Sequence, residues 1–254
     1  MTDLTLYTFA MSHYSEKIRW VLDAEGLPYR EVIMTPAFHM LPARRMGGRG
    51  QTTLPILQAG REHIQDSTRI LEWLAANRAP LKTLPADAAA CAEVMAVEER
   101  FDAIGKDVAR FLYWTGFHHP QQIKALWTRH ATPLQRAVIR LGYPLIKLGF
   151  KRKLRINARD VARAQQRIEA ELDWLDARLA AGHRWLAGDA FSVADITAAA
   201  LLAPIARPPQ HPVYGEASFA ATLPPVARAW QARPGLQWVR QLYAEQRGAV
   251  RFKT

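Results

Sequence analysis

A change of apolar periodicity near residue 78 constrains this chain more than any other feature. Before it, short β-branched and aromatic runs alternate with helical patterns; after it, only helical patterns occur. Leu4-Thr5-Leu6-Tyr7-Thr8-Phe9 reads as a strand. Ser15 to Glu25 carries Ile18, Val21 and Leu22 at helical spacing and stops at Gly26. Tyr29 to Met34 reads as a second strand, so the chain opens on a βαβ unit with parallel strands. Residues 42–53, with Gly47, Gly48 and Gly50, read as a loop. Leu54 to Leu57 and Glu62 to Ile64 read as two more strands, joined by a hairpin turn over 58–61. Asp66-Ser67 then caps a helix that carries Ile70, Leu71 and Leu74. The order predicts a small α/β layer of four strands.

Pro80 and Pro85 mark residues 79–85 as a linker. Beyond it, Ala86–Tyr113, Gln121–His130, Ala158–Ala180, Val193–Leu202 and Leu236–Gln246 all read as helix. The proline-rich Arg207–Tyr214 cannot be regular helix. No internal repeat is visible. With 254 residues, 49% of them apolar and 22% charged, the chain can bury a real core, which excludes a disordered class. The single cysteine, Cys91, excludes a disulfide scaffold, a cysteine-rich zinc site and a CxxC redox pair. Asp3 stands where a signal peptide has basic residues, and no apolar run reaches the roughly 18–20 residues that span a bilayer. These features predict a soluble, cytoplasmic protein. The histidines, His118-His119 included, lack metal-ligand spacing, so no metal is expected.

The formal charge is +11. Residues 1–80 contribute +1 of it and the remainder +10. Arg136 to Arg159 holds eight basic residues and no acid. Such a segment is a solvated basic loop or helix face, or a contact for an anionic partner. Leu141, Leu145, Ile146, Leu148 and Phe150 accompany the charges, which adds a membrane surface to the readings. Nucleic acid is not expected, since no helix-turn-helix, zinc-finger or RNA-binding aromatic motif is present.

Four segments resemble the glutathione transferase superfamily. Ser12-His13-Tyr14-Ser15-Glu16-Lys17-Ile18-Arg19-Trp20 is similar to its strand-to-helix turn with the catalytic Ser or Cys. Thr53-Leu54-Pro55 resembles its cis-proline turn, and Gln65-Asp66-Ser67 its glutathione-holding acid–serine pair. Phe191-Ser192-Val193-Ala194-Asp195-Ile196 resembles its C-terminal capping box. The tail, Leu223-Pro224-Pro225 to Trp230 with Arg233-Pro234-Gly235, is similar to the family's usual ending. The resemblance implies an α/β plus all-α fold. A thioredoxin-like βαβ-ββα domain (1–78) and a linker (79–85) precede a helical-bundle domain (86–254), which carries the basic segment 136–159. It also implies glutathione as co-substrate and a homodimer.

A free thiol has a pKa of about 8.5 and attacks only as thiolate. A hydroxyl donor at a helix N-terminus favours the charged form. By resemblance, Ser12 is the catalytic residue, with Ser15 and Tyr7 as alternatives; each also fits a structural part, Ser12 as an N-cap. The residue before Pro55, Leu54, is expected to pair its backbone with the cysteinyl unit of glutathione as an added strand. Asp66 and Ser67, assisted by Gln65, are expected to hold the γ-glutamyl group, and Gln51 and Arg49 the glycyl carboxylate. His13 replaces the proline of many relatives, and either tunes the thiolate or is a partly exposed loop residue. The absence of a cysteine at position 12 argues against thiol-transfer and dehydroascorbate-reductase chemistry. Met11, His13, Phe111, Tyr113, Trp114 and Phe117 are candidates for a hydrophobic electrophile pocket, or else for inter-domain core. Ser192 and Asp195 are expected to be a structural cap. The leading reading is a glutathione-dependent transferase acting on a hydrophobic electrophile. Lyase, isomerase and dehalogenase are variants of it, and a non-catalytic module docking on acidic partners or a membrane surface is the alternative.

Overall fold

The computed structural model describes residues 3–47 and 50–253. Four strands form one sheet in the order β2-β1-β3-β4. They are β1 (Leu4–Thr8), β2 (Tyr29–Ile33), β3 (Ile56–Ala59) and β4 (Glu62–Gln65). β1 runs parallel to β2 and antiparallel to β3, and β3 is antiparallel to β4. Helix α1 (His13–Ala24) makes the crossover from β1 to β2, and α3 (Ser67–Arg78) follows β4. The sheet belongs to a thioredoxin-like domain.

The expectation of a loop over 42–53 is corrected. Met40–Gly47 is a helix, α2. Only Ala43 is buried on it, so it has no apolar periodicity to read, and Pro42 and Gly47 masked the rest.

The second domain is helical: α4 (Ala88–Gly116), α5 (Pro120–Thr128), α6 (Pro133–Lys153), α7 (Ala158–Ala180) and α8 (Val193–Ala206). Two short helices, α9 (Ala217–Ala220) and α10 (Pro225–Ala229), lead to α11 (Pro234–Leu242), which ends in a π-helical turn over Tyr243–Arg247. The basic segment 136–159 resolves into most of α6, a turn, and the first residues of α7. As expected, Arg207–Tyr214 is not helical.

Helix α8 is the hub. Every one of its residues is buried, and it packs on α1, α4 and α11, which is how a helix apolar all round must sit. Its N-terminus is held by Asp195, whose carboxylate accepts from the Ser192 N–H (2.9 Å) and the Leu186 N–H (2.9 Å). Burial pushes the Asp195 carboxyl up to about 6, against these hydrogen bonds.

The domains meet where α1 lies on α4. Gly105 of α4 has no side chain, and the Tyr14 ring and Leu201 occupy the space a Cβ would take. The Tyr14 hydroxyl donates to the Asp102 carbonyl (3.0 Å). Beside it, the fully buried Lys17 ammonium donates to the carboxylates of Glu98 and Asp102, the latter at 2.7 Å.

Candidate active site

The sheet register brings three turns to one end. Tyr7 pairs with Ile56, so the β1–α1 turn lies beside Leu54-Pro55; Ile56 pairs with Gln65, so Asp66 lies beside Pro55. The Leu54–Pro55 peptide is cis, and the Pro55 carbonyl accepts from the Asp66 N–H (3.3 Å).

Ser12 is the N-cap of α1, with extended backbone. Its oxygen accepts from the Ser15 N–H (3.2 Å). A hydroxyl has two lone pairs and one proton, so capping leaves the proton available. Among the described residues that proton has no acceptor. The two alternatives are set aside, Ser15 by its burial and Tyr7 by its hydrogen bond. Ser15 is fully buried, and its oxygen accepts from the Phe9 N–H (3.4 Å). The Tyr7 hydroxyl donates to Gln58 Oε1 on β3 (2.9 Å).

Among the described residues, neither the N–H nor the C=O of Leu54 has a hydrogen-bond partner. Asp66 adopts φ 96° and caps α3, its Oδ1 accepting from the N–H groups of Thr68 (3.0 Å) and Arg69 (3.4 Å). The exposed carboxylate keeps a second oxygen for a ligand. Ser67 is buried at the first position of α3, with its hydroxyl 3.3 Å from Asp102 Oδ1. Gln65 is turned toward the loop rather than outward. Its amide donates to the carbonyls of Thr53 (2.8 Å) and Gln51 (3.4 Å), fixing the approach to the cis-proline. Gln51 is exposed; Arg49 lies outside the described residues.

His13 is not a partly exposed loop residue. It is the first residue of α1, its ring is buried, and Nε2 lies 2.9 Å from the Gly105 carbonyl. A carbonyl only accepts, so Nε2 carries the proton. Burial pushes its pKa down to about 4, so the ring is neutral around pH 7.

The aromatic set is drawn mostly into packing. Phe111 stacks on Trp230 (5.2 Å between ring centroids). Tyr113 and Phe117 pack with Trp127 and Phe150. Trp114 is half-buried under the Lys151 ammonium. Of the six expected pocket residues, only Met11 borders the narrow cleft, beside Thr35, Trp127 and His130. A larger cavity of about 430 Å³ lies between α5 and residues 213–222, with Leu126 common to both. Ile123, Val213 and Phe219 give it apolar walls, and the Arg129–Glu216 ion pair lines it.

Sequence reasoning missed three residues here. Asp102 joins Ser67 to Lys17. Tyr214, from the proline-rich segment, donates to the Met11 carbonyl (2.7 Å) and so fixes the turn that carries Ser12. Glu98, the second carboxylate on Lys17, has its pKa raised by burial and lowered by the ammonium, with burial the larger effect. Their partners lie 35 to 203 positions away, and no local spacing signals them.

Two family models match the chain: the glutathione S-transferase N-terminal domain over residues 6–82 and the glutathione S-transferase C-terminal domain over 158–244. No curated protein matches it. Among solved structures, the beta-etherase LigF of a Sphingobium species is 21% identical, with 96% of both chains covered and a TM-score of 0.65. A glutathione S-transferase from Rhodospirillum rubrum is 21% identical, covering 95% of this chain and 88% of that one, with a TM-score of 0.61. A glutathione S-transferase from Methylobacterium radiotolerans, solved with glutathione sulfonate, is 21% identical, covering 98% and 97%, with a TM-score of 0.57.

Proposed function

The chain belongs to the glutathione S-transferase superfamily, and from that premise we propose that it binds glutathione and activates its thiol for attack on a hydrophobic electrophile. The observation that carries this reading is the free hydroxyl proton of Ser12 at the N-terminus of α1. A sulfur placed there accepts the hydroxyl proton as a hydrogen bond, and the positive end of the helix favours its negative charge. Both lower the thiol pKa.

The unpaired backbone of Leu54 takes the cysteinyl unit as an added strand. The second oxygen of Asp66 takes the γ-glutamyl ammonium, and the Ser67 N–H at the start of α3 takes the γ-glutamyl carboxylate. Asp102, one quarter exposed, adds negative charge on the same side. The thiolate then forms a bond to an electrophilic carbon; a leaving group departs with its electron pair or, for an activated alkene, the displaced π pair takes up a proton from water. The cavity beyond Leu126 is the space for the second substrate, of a size suited to a small apolar molecule; the cleft at Met11, about 10 Å³, has room for no more than a water and has to widen to admit it. Aryl ethers, organic halides and activated alkenes belong in the electrophile screen, covering lyase, dehalogenase, isomerase and transferase outcomes. A homodimer is part of the proposal.

The test is an ultraviolet titration of bound glutathione against pH, with wild type and Ser12→Ala. Wild type should show a thiolate midpoint well below about 8.5. Ser12→Ala should retain binding, return the midpoint toward that value, and lower kcat/KM about 100-fold. Saturable binding with an unshifted midpoint in wild type would remove Ser12 from the chemistry; no binding would remove the reading altogether.

A further inference from the structure

We propose that α6, with the adjoining residues 38–41, is a docking surface for an anionic lipid bilayer. Its apolar stripe would enter the acyl boundary and its basic flank would rest on the headgroup phosphates.

The exposed large apolar side chains among the described residues are confined to two segments. Three are Phe38, Met40 and Leu41. Five are Leu134, Val138, Leu141, Leu145 and Leu148, all on α6. Their spacing alternates four and three, which keeps them on one face of a helix. The exposure is large: 85% for Leu141 and 77% for Leu145. The opposite face is the one that packs, with Ile139 and Tyr143 buried and Phe150 against Trp127. The stripe is therefore not a helix turned the wrong way; α6 is apolar on two sides.

Two hydrogen bonds tie α6 to the first domain. Thr35 Oγ1 donates to Gln135 Oε1 (3.0 Å), and Lys153 Nζ donates to Thr52 Oγ1 (2.7 Å). The first sets Thr35 beside the first turn of α6, and residues 38–41 follow directly, the His39 N–H donating to the Thr35 carbonyl (3.0 Å). The helix has 21 residues, so its length is about 31 Å.

Charge selects the occupant. On the helical wheel Arg140 and Lys151 flank the stripe, about 100–120° from its centre, and Arg152 lies within its arc at the C-terminal end, while Arg136 and Lys147 lie further round toward the packed face, where Lys147 donates to the Phe117 carbonyl (2.9 Å). No acidic residue lies between Asp107 and Asp160, nor between Glu31 and Glu62. A second copy docking through this face would set basic flank against basic flank with no carboxylate to answer it. Nucleic acid would satisfy the charges and leave five large apolar side chains against a polar groove. A bilayer surface rich in anionic lipid satisfies both halves. The surface is for lying on rather than crossing, since no helix of the described residues is long and apolar enough to span a membrane. It also falls outside both family-matched segments, 6–82 and 158–244, apart from residues 38–41.

Vesicle co-sedimentation of the full chain tests this, with phosphatidylcholine vesicles and with vesicles that also contain phosphatidylglycerol. Binding should require phosphatidylglycerol, by at least tenfold, and weaken with added salt. Arg140→Gln/Arg152→Gln removes two charges that make no hydrogen bond or ion pair within the described structure. It should weaken binding about 25-fold, at about fivefold per charge. Leu141→Gln/Leu145→Gln should weaken it at least tenfold. Both variants alter exposed side chains, so thermal melts should match wild type. Failure to bind, equal binding to both vesicle types, or retained binding in the leucine variant would overturn the proposal. So would light scattering that shows a dimer dissolved by the leucine variant, because the face would then join two copies. None of these readouts depends on glutathione, so the catalytic reading stands or falls separately.

Discussion

At the scale of single residues, His13 is where chemistry and stability separate. Its position beside Ser12 invites a part in proton transfer, yet its ring is spent on the Gly105 carbonyl across the domain boundary. The folded-state pKa of about 4 lies below the usual 6.5, so the unfolded chain binds more protons between those values. Stability is therefore full above about pH 6.5 and is lost as pH falls toward 4, by up to about 1.4 kcal/mol per unit. His39, held down to about 4 chiefly by burial, acts in the same direction. Asp195 acts oppositely: its folded value is raised to about 6, so it weakens the fold as pH rises from about 4 to 6. His130 and His211 are held down as well and Glu98 is held up, each chiefly by burial, so four histidines stand against two carboxylates and acidification brings a net loss. His13→Gln keeps a donor for Gly105 and removes the titration. Urea unfolding at pH 5 and pH 7 should show a smaller difference between the two pH values for the variant than for wild type; an identical difference would sink this account. The residues of the candidate site were legible one by one because Ser12, Leu54-Pro55 and Asp66-Ser67 sit in short motifs. Their surroundings were not: Ser15 and Tyr7 look as available as Ser12 until Ser15 is seen to be fully buried and the Tyr7 hydroxyl to donate to Gln58.

At the scale of elements, the sequence speaks wherever a segment buries one face and is silent elsewhere. α3 buries one face, and β1 and α1, though buried on nearly every side, carry their apolar residues at a regular spacing, so all three could be read. α2 buries one residue, and its sequence reads as a loop. α6 is the instructive miss, because apolar residues on its exposed face fill the gaps that periodicity needs. α8 needs no periodicity, being buried throughout, and its boundary is set by the cap. Asp195→Ala would leave the N–H groups of Leu186 and Ser192 without their buried acceptor. The expected loss is about 2 kcal/mol or more, read as a drop in the urea midpoint, and an unchanged midpoint would deny the cap its part. Gly105 sets the spacing of α1 on α4. Gly105→Ala gains helix propensity but places a methyl where Tyr14 and Leu201 already are. Overpacking of this kind costs about 1–3 kcal/mol. A variant more stable than wild type would mean that the two helices slide freely.

At the scale of the whole molecule, the chain returns at its end to the domain where it began. Arg247 donates to Glu16 (2.8 Å) and Asp23 (2.7 Å) of α1. Beyond it, the Lys253 carbonyl accepts from the Glu31 N–H of β2 (2.7 Å), and Phe252 lies under the Arg19 guanidinium. Glu16, Arg19 and Glu31 are fully or almost fully buried, so the centre of this ionic network is out of solvent, while Asp23 at its edge is partly exposed. It sits behind the candidate site. Arg19 donates to the Phe9 carbonyl (2.9 Å), and Glu31 accepts from the Thr8 hydroxyl (2.6 Å), so the network grips the strand end that leads into Ser12. The contacts of the C-terminal segment were not legible in the sequence, because their partners lie 222 to 231 positions apart. Arg247→Met keeps most of the side-chain volume and removes the charge. It leaves Glu16 buried with Arg19 at 3.4 Å and the His211 ring at 3.7 Å, whose pKa is held well below 6.5 by burial and by nearby arginines. Breaking a buried pair from one side costs about 3–5 kcal/mol, which urea unfolding would show directly. The same change should loosen the β1–α1 turn, seen as faster amide exchange over Thr8–Ser15 under conditions where the protein remains folded. Lost stability with unchanged exchange in that turn would mean that the C-terminal segment braces the domain without positioning Ser12.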